Sequence, residues 1–195
     1  MKFFLATKNK HKVEEFKRIL SCLGIEIVCE ADLDKPLSEV DETGTTFEEN
    51  AFLKAISAMK EVNMPSIADD SGLCVDYLDG APGIYSARFS GEDANDKRNN
   101  EKLLKLLDGT SIEERTARFV CTIACVFPDG RRFSSTGKCE GYIAYEPEGD
   151  NGFGYDPLFV TPLGCFGKLS GEEKDSISHR GNALKNFAKI VKDYI

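Results

Sequence analysis

The stretch PSIADDSGLCVDYL, residues 65–78, begins as a buried strand and then places two carboxylates side by side. Asp69 and Asp70 directly follow an apolar run, although aspartate is disfavoured in strands and costly to bury without a partner. Because side chains alternate across a strand, the two acids are predicted to point to opposite faces unless the chain bends at Gly72. Two interpretations follow: acids at the carboxyl end of a strand that face a ligand crevice, or an Asx-turn that ends the strand.

The sequence on either side of this stretch predicts a mixed α/β sheet flanked by helices. Apolar runs predict strands over 2–7, over 25–31 and within 65–78, then a hairpin over 117–137 and two strands around a glycine-rich loop over 139–160. Helical spacing predicts helices over 7–24, 45–62 and 93–109, and one that closes the chain. Helices and strands alternate early and antiparallel strands dominate later, which is typical of a mixed sheet. No linker or repeat divides the chain, so residues 1–195 are predicted to form one domain.

Three of the predicted helices carry further signals. The first has an apolar face formed by Val13, Phe16, Leu20 and Leu23. At the start of the second, Thr46 and Glu49 fit a capping box. Ser178 is predicted to cap the last helix, which puts His179 and Arg180 in its first turn, where cations oppose the helix dipole. A ligand carbonyl or phosphate at this point would remove that conflict.

Composition excludes several classes of function. The formal charge is −8 and the pI is about 4.9, whereas a protein that holds nucleic acid usually carries a basic stripe. The seven cysteines form no Cys-x-x-Cys pair and lie mostly in apolar runs, which predicts reduced thiols in a cytoplasmic protein. No apolar run approaches the roughly 18 residues of a membrane span, and the first ten residues lack the features of a signal peptide. We therefore expect no nucleic-acid or membrane partner.

Two polar clusters suggest a site for phosphate and metal. The segment TKNKHK, residues 7–12, lies at a strand-to-helix junction, where backbone N–H groups and three lysines suit a phosphate. The structural alternative is a capped helix with a solvated lysine face. Glu48 and Glu49 fit helix capping well, but Glu42 lies ahead of the cap. Carboxylates from different segments, such as Glu42 and Asp70, are how Mg²⁺ is usually held beside substrate phosphates.

A third cluster is the segment NGFGYDPLF, residues 151–159. Its glycines serve a turn, or they let Phe153 present its ring for stacking on a base while Asp156 accepts base N–H groups. The chain has two histidines with no partner at ligand spacing, so a zinc site is not predicted.

Six motifs occur in one order along the chain: TKNKHK, ETGTTFEEN, ADDSGL, GAPGIYSARFSG, GFGYDP and SHRGNA. On these motifs, which span nearly the whole length, the chain resembles the inosine/xanthosine triphosphate pyrophosphatases of the Ham1 family. The resemblance implies hydrolysis of non-standard purine nucleoside triphosphates (ITP, dITP and XTP) to the monophosphate and pyrophosphate, with Mg²⁺. It also implies a homodimer in which each subunit has two lobes and an active site in the cleft between them.

The resemblance implies roles for individual residues as well. Glu42 and Asp70 match metal-site carboxylates, and Asp70 is the position of the proton acceptor. From the chemistry of the paired acids, we expect Asp69 to be a second metal ligand or an orienting residue. Substrate-contacting positions are matched by Thr7, Lys8, Asn9, Lys10, His11, Lys12, Lys54, Ser71, Phe153, Gly154, Tyr155, Asp156, Lys174, His179 and Arg180. Within this set, residues 7–12 hold the triphosphate and Lys54 lies near the phosphates.

Base choice has a physical rationale. Hypoxanthine and xanthine carry O6, whereas adenine carries an amino group there, so a donor such as His179 or Arg180 would disfavour adenine. Two competing functions stay open at this point: a pyrophosphatase for other modified nucleotides, and a non-catalytic nucleotide-binding regulator. The acids Glu42, Asp69 and Asp70 argue against the regulator, because binding an anion gains nothing from them without a metal.

Overall fold

The computed structural model describes residues 1–21 and 24–194, and within them seven strands form one sheet with five α-helices beside it. The strands are β1 (Lys2–Leu5), β2 (Glu26–Cys29), β3 (Ser66–Val75), β4 (Thr116–Val126), β5 (Arg132–Ile143), β6 (Phe159–Thr161) and β7 (Gly164–Cys165). The helices are α1 (Lys10–Ser21), α2 (Phe47–Val62), α3 (Asp96–Leu106), α4 (Gly171–Ile177) and α5 (His179–Ile190). Short 3₁₀ helices lie at Glu30–Asp32, Asp76–Leu78, Gly83–Arg88, Ile112–Arg115, Asp156–Leu158, Phe166–Lys168 and Val191–Asp193.

The sheet is mixed, as predicted. Its strand order is β2-β1-β3-β4-β5-β6-β7. β1 pairs in parallel with β2 and β3, whereas β5, β6 and β7 pair antiparallel. A tight turn joins β4 to β5, in which the N–H of Phe127 donates to the carbonyl of Arg131 at 2.9 Å. Parallel strands with helical connections therefore come first and antiparallel strands follow.

Most helix signals in the sequence are confirmed. Thr46 and Glu49 form the predicted capping box at the start of α2, because the Thr46 hydroxyl accepts from the Glu49 N–H at 3.1 Å and the Glu49 carboxylate accepts in return. On α1 the predicted apolar residues Phe16 and Leu20 are fully buried. Leu23, the last residue of that predicted face, lies outside the described residues. None of the described helices is both long and apolar enough to cross a membrane.

The prediction that a strand stops at the paired acids is wrong. β3 runs without interruption from Ser66 to Val75, so Asp69 and Asp70 lie near its middle and Gly72 does not end it. Both acids are buried. A strand tolerates buried carboxylates when each one has charged or hydrogen-bonding partners, and the contacts of the candidate site supply them.

The first of two compact units comprises Met1–Asp70, Cys121–Gly137 and Arg180–Ile195. Adjacent residues of β3 join different apolar clusters in this unit. Ile67 belongs to a cluster with Phe16 of α1 and Leu184 of α5, whereas Ala68 belongs to one with Ala51 of α2. Helices α1 and α5 therefore cover one face of the strand, and α2 covers the other.

The second compact unit comprises Ser71–Val120 and Lys138–His179. It has an apolar cluster of its own, built largely on aromatic rings. The ring of Phe119 contacts that of Phe159 edge-on at 4.8 Å between centroids and stacks on that of Phe166 at 6.1 Å. The location of the active site in a cleft stays a prediction.

Candidate active site

The junction between β1 and α1 forms the capped helix start that the sequence predicts. The hydroxyl of Thr7 accepts from the N–H of Asn9 at 3.2 Å, and Oδ1 of Asn9 accepts from the N–H of Lys12 at 3.2 Å. The side chains of Lys8, Lys10 and His11 are exposed, and Lys8 pairs with a surface glutamate. Lys12 is half-buried and turns towards β3.

A network of four charged side chains, here called the Asp69 network, joins α1, β3 and α5: Lys12, Glu15, Asp69 and Arg180. Oδ2 of Asp69 lies 3.0 Å from Nζ of Lys12 and 2.9 Å from Nη2 of Arg180, and Nη1 of Arg180 contacts Glu15. Burial by itself would raise the pKa of the Asp69 carboxyl, but Lys12 and Arg180 outweigh it and hold that pKa well below its usual range. Asp69 is therefore an ionised carboxylate with two cationic partners.

This network bears on the predicted roles of two of its members. Oδ2 of Asp69 is shared by Lys12 and Arg180, and a role for Asp69 as a second metal ligand stays a prediction. The side chain of Arg180 is 1% exposed and its guanidinium contacts two carboxylates, and donation from Arg180 to a purine O6 stays a prediction. Glu15 was not identified from the sequence, where it reads as one more charge on a helix.

On the opposite face of β3, a second group, here called the Asp70 triad, comprises Glu42, Lys54 and Asp70. Nζ of Lys54 lies 2.8 Å from Oε1 of Glu42 and 3.1 Å from Oδ1 of Asp70. The two carboxylates come from a loop and a strand and share this one ammonium group. Burial would lower the pKa of Lys54, but the neighbouring carboxylates outweigh it and raise that pKa.

Asn50, which the sequence analysis missed, holds the Asp70 triad to its loop. Its Nδ2 donates to Oδ2 of Asp70 at 3.3 Å, and its Oδ1 accepts from the N–H of Gly44 at 2.8 Å. A Cβ at Gly44 would lie 2.6 Å from that same Oδ1, so only glycine fits there. Asn50 ends the motif ETGTTFEEN, but the need for polar partners follows from its complete burial, which the structure shows.

The Asp70 triad fits a divalent cation. Burial raises the pKa of Asp70, and although Lys54 opposes this, Glu42 raises it further, so the two acids disfavour each other's charge. A divalent cation bound between them would relieve that repulsion. Among residues 1–21 and 24–194 no cluster of three or more metal-ligating side chains occurs. Mg²⁺ usually needs only one or two carboxylates together with waters and substrate phosphates, so Glu42 and Asp70 suffice.

In the second unit, the predicted base-binding segment forms a tight turn. Oδ2 of Asp156 accepts from the N–H of Phe153 at 2.9 Å and from Nζ of Lys174 at 2.7 Å. Nζ of Lys174 also lies 4.9 Å from the ring centroid of Phe153, within cation–π range. Asp156 thus holds the turn and the lysine together, and a bond from Asp156 to a purine stays a prediction.

Replacing Gly152 with alanine is expected to destabilise this turn. Gly152 has a φ of +79°, and an added Cβ would lie 2.0 Å from Oδ2 of Asp156, where Lys174 binds. We expect a loss of about 1–3 kcal/mol of unfolding free energy, measured by urea denaturation. Gly130→Ala is the matched control, since its φ is +90° but nothing lies within 4 Å of the added Cβ. Equal losses in the two variants would contradict the proposed clash.

Three more of the predicted residues in this unit make specific contacts. The N–H of Gly154 donates to Asp96 at 2.7 Å, and the hydroxyl of Tyr155 donates to the carbonyl of Ser86 at 2.8 Å. His179 is buried with its ring stacked on Phe119, 4.6 Å between centroids. Ser71, the residue after Asp70, is half-buried. The contacts of Asp96 and Ser86 were not predicted from the sequence.

Comparison with known proteins identifies the family. A family model described as the Ham1 family matches residues 3–190. The dITP/XTP pyrophosphatase of Listeria monocytogenes serovar 1/2a is 50% identical over 100% of this chain and 96% of that protein, and the one from Desulforamulus reducens is 49% identical over 98% and 96%. Among solved structures, the Staphylococcus aureus Ham1 protein has a TM-score of 0.86 at 41% identity, covering 100% of both chains. A HAM1 protein from Coxiella burnetii has a TM-score of 0.88 at 36% identity, covering 99% of both. The chain therefore belongs to the Ham1 family.

Proposed function

We propose that this protein is a nucleoside triphosphate pyrophosphatase that hydrolyses dITP, ITP and XTP to the monophosphate and pyrophosphate, and so removes non-standard purine nucleotides. The observation that carries the proposal is the Asp70 triad, in which Glu42 and Asp70 share the ammonium group of Lys54. Relatives at about half identity over nearly the full length are named dITP/XTP pyrophosphatases. Both observations favour an enzyme over a nucleotide-binding regulator.

The residues of the first unit have complementary tasks in this proposal. Asp70 accepts the proton of the attacking water, and burial and Glu42 raise its pKa towards the range that a general base needs. Lys12 and Lys54, together with the N–H groups at the start of α1, neutralise the phosphate charge that develops on the leaving pyrophosphate. Glu42 and Asp70 would hold Mg²⁺, which supplies further charge neutralisation when bound.

The residues of the second unit are proposed to recognise the base. Phe153 stacks on the purine ring, while His179 and Lys174 donate to O6, which adenine lacks. Asp156 keeps Lys174 in position through their 2.7 Å contact. A site built to donate to O6 leaves its buried donors unpaired when adenine binds, and this penalty gives the preference.

A product assay tests the proposal. Incubation with dITP should release dIMP and pyrophosphate in equal amounts, with dATP as the matched substrate that differs in the base. Release of orthophosphate would contradict cleavage between the α and β phosphates. Binding of dITP without turnover would favour the nucleotide-binding regulator, and a preference for other modified nucleotides would favour the other pyrophosphatase.

Metal dependence gives a second test. Removal of divalent cations with EDTA is expected to abolish pyrophosphate release, and added Mg²⁺ should restore it. With Mg²⁺ bound, the negative charges of Glu42 and Asp70 would repel the substrate phosphates less. Isothermal titration of Mg²⁺ into the enzyme without nucleotide checks binding independently of activity. Glu61→Gln, which alters an exposed acid on α2, is the control and should keep the Mg²⁺ affinity. Full activity in EDTA would rule out the metal role.

We also propose a homodimer in the cytoplasm. Light scattering at micromolar concentration is expected to give twice the chain mass of 21.6 kDa. All the cysteines that the structure describes are free thiols, which suits a reducing compartment. A monomeric mass over the whole concentration range would contradict the dimer.

A further inference from the structure

The Asp69 network is a chain of charges in the first unit that the chemistry above does not fully use. Its members alternate in sign: Glu15 contacts Arg180, Arg180 contacts Asp69, and Asp69 contacts Lys12. Two carboxylates and two cations leave the network without formal net charge. Removal of one partner from a buried ion pair leaves the other charge buried and uncompensated. We therefore treat the four side chains as one unit.

The guanidinium of Arg180 contacts both carboxylates of this network. Nε and Nη2 lie 3.3 and 2.9 Å from Oδ2 of Asp69, and Nη1 contacts Oε2 of Glu15. The side chain is 1% exposed. Because guanidinium hydrogen bonds are directional, Arg180 acts on its surroundings through these two carboxylates.

Lys12 is the most exposed member of the network, since the side chain of Glu15 is 9% exposed and that of Arg180 is 1% exposed. Its side chain is 16% exposed, whereas that of Asp69 is 0% exposed. An ammonium group has three donors, and the contact with Asp69 at 3.0 Å takes one of them. Lys12 also lies in the first turn of α1, where the helix end attracts phosphate. An ammonium that Asp69 already holds loses less rotamer freedom when an anion binds.

We infer that Asp69, held in place by Arg180 and Glu15, is a positioning residue that fixes the ammonium group of Lys12 for the triphosphate of the substrate. The inference rests on the proposed function, since it takes a triphosphate as the ligand. The inference predicts the direction in which removal of Asp69 changes the affinity for the triphosphate. A buried negative charge beside a phosphate site opposes anion binding, so removal of a purely electrostatic Asp69 would tighten binding. Loss of a positioning residue weakens it.

A double-variant cycle of Asp69→Asn and Lys12→Met tests the inference, with the Kd of inorganic triphosphate measured by isothermal titration in metal-free buffer. Asp69→Asn is expected to raise this Kd by about 10- to 30-fold. In the Lys12→Met background the same change should alter Kd by less than about twofold, because the positioned group is gone. Lys17→Met, at an exposed lysine farther along α1, is the matched control and should leave Kd unchanged.

Tighter triphosphate binding by Asp69→Asn, or effects that multiply in the double variant, would overturn the inference. If circular dichroism shows that Asp69→Asn does not fold, Glu15→Gln replaces it in the same cycle, because it releases Arg180 from the other side. Arg180→Lys is expected to lower dITP and dATP hydrolysis alike, and a changed dITP/dATP ratio would make Arg180 a base reader. The cycle needs no turnover, so a failure of the proposed activity is seen separately, as absence of pyrophosphate from dITP.

Discussion

Replacing Asp70 with asparagine is expected to lower kcat for dITP by about 10²- to 10⁴-fold, the usual contribution of a general base. Asparagine has nearly the same shape, and its one carbonyl oxygen can still accept a hydrogen bond from Lys54, but its NH2 group then faces Asn50 and it cannot take a proton from water. The thermal midpoint should therefore change far less than turnover does. Initial-rate assays of pyrophosphate release, with circular dichroism of the same samples, measure both effects.

The control for this variant is Asp76→Asn, which removes a carboxylate that pairs with Arg118 in the second unit. It should leave kcat unchanged. Near-normal turnover in Asp70→Asn would show that another group accepts the proton. Loss of folded structure in Asp70→Asn would instead make the acid a structural partner of Lys54.

Replacing Asp69 with asparagine is expected to lower the unfolding free energy by about 3–5 kcal/mol at neutral pH. The change removes the charge of one of the carboxylates that the buried guanidinium of Arg180 contacts. Urea denaturation at pH 7 measures the loss. Asp129→Asn is the control, because Asp129 pairs with Arg131 on an exposed turn and a surface pair contributes little.

This stability difference should depend on pH in a defined direction. The folded protein holds the pKa of Asp69 below its ordinary value of 3.8, so the carboxylate stabilises the fold at pH values above 3.8. That contribution is lost as the pH falls below 3.8 towards the lowered pKa of the folded state. The unfolding free energies of wild type and Asp69→Asn should thus show their full difference at neutral pH and become similar in acid. A wild type no more stable than the variant at pH 7 would contradict the buried ion pair.

Helix starts were readable from the sequence because their signals are local. Thr46 and Glu49 stand three positions apart, and that spacing alone brings each side chain to the other's backbone N–H. The start of α5 at His179 was likewise predicted. The local sequence wrongly predicted that a strand ends at Asp69 and Asp70, because β3 continues through both acids. Strand propensity disfavours aspartate only where no partner compensates its burial.

The sequence by itself determined the order of the motifs, the alternation of strands and helices, and the opposite directions of Asp69 and Asp70, because adjacent strand residues must face opposite sides. Only the tertiary structure decided which cation each acid meets. Arg180 stands 111 positions from Asp69 and 165 from Glu15, yet its guanidinium contacts both. These contacts follow from the packing of α1 and α5 on one face of β3. A contact between residues so far apart in the chain leaves no local pattern in the sequence.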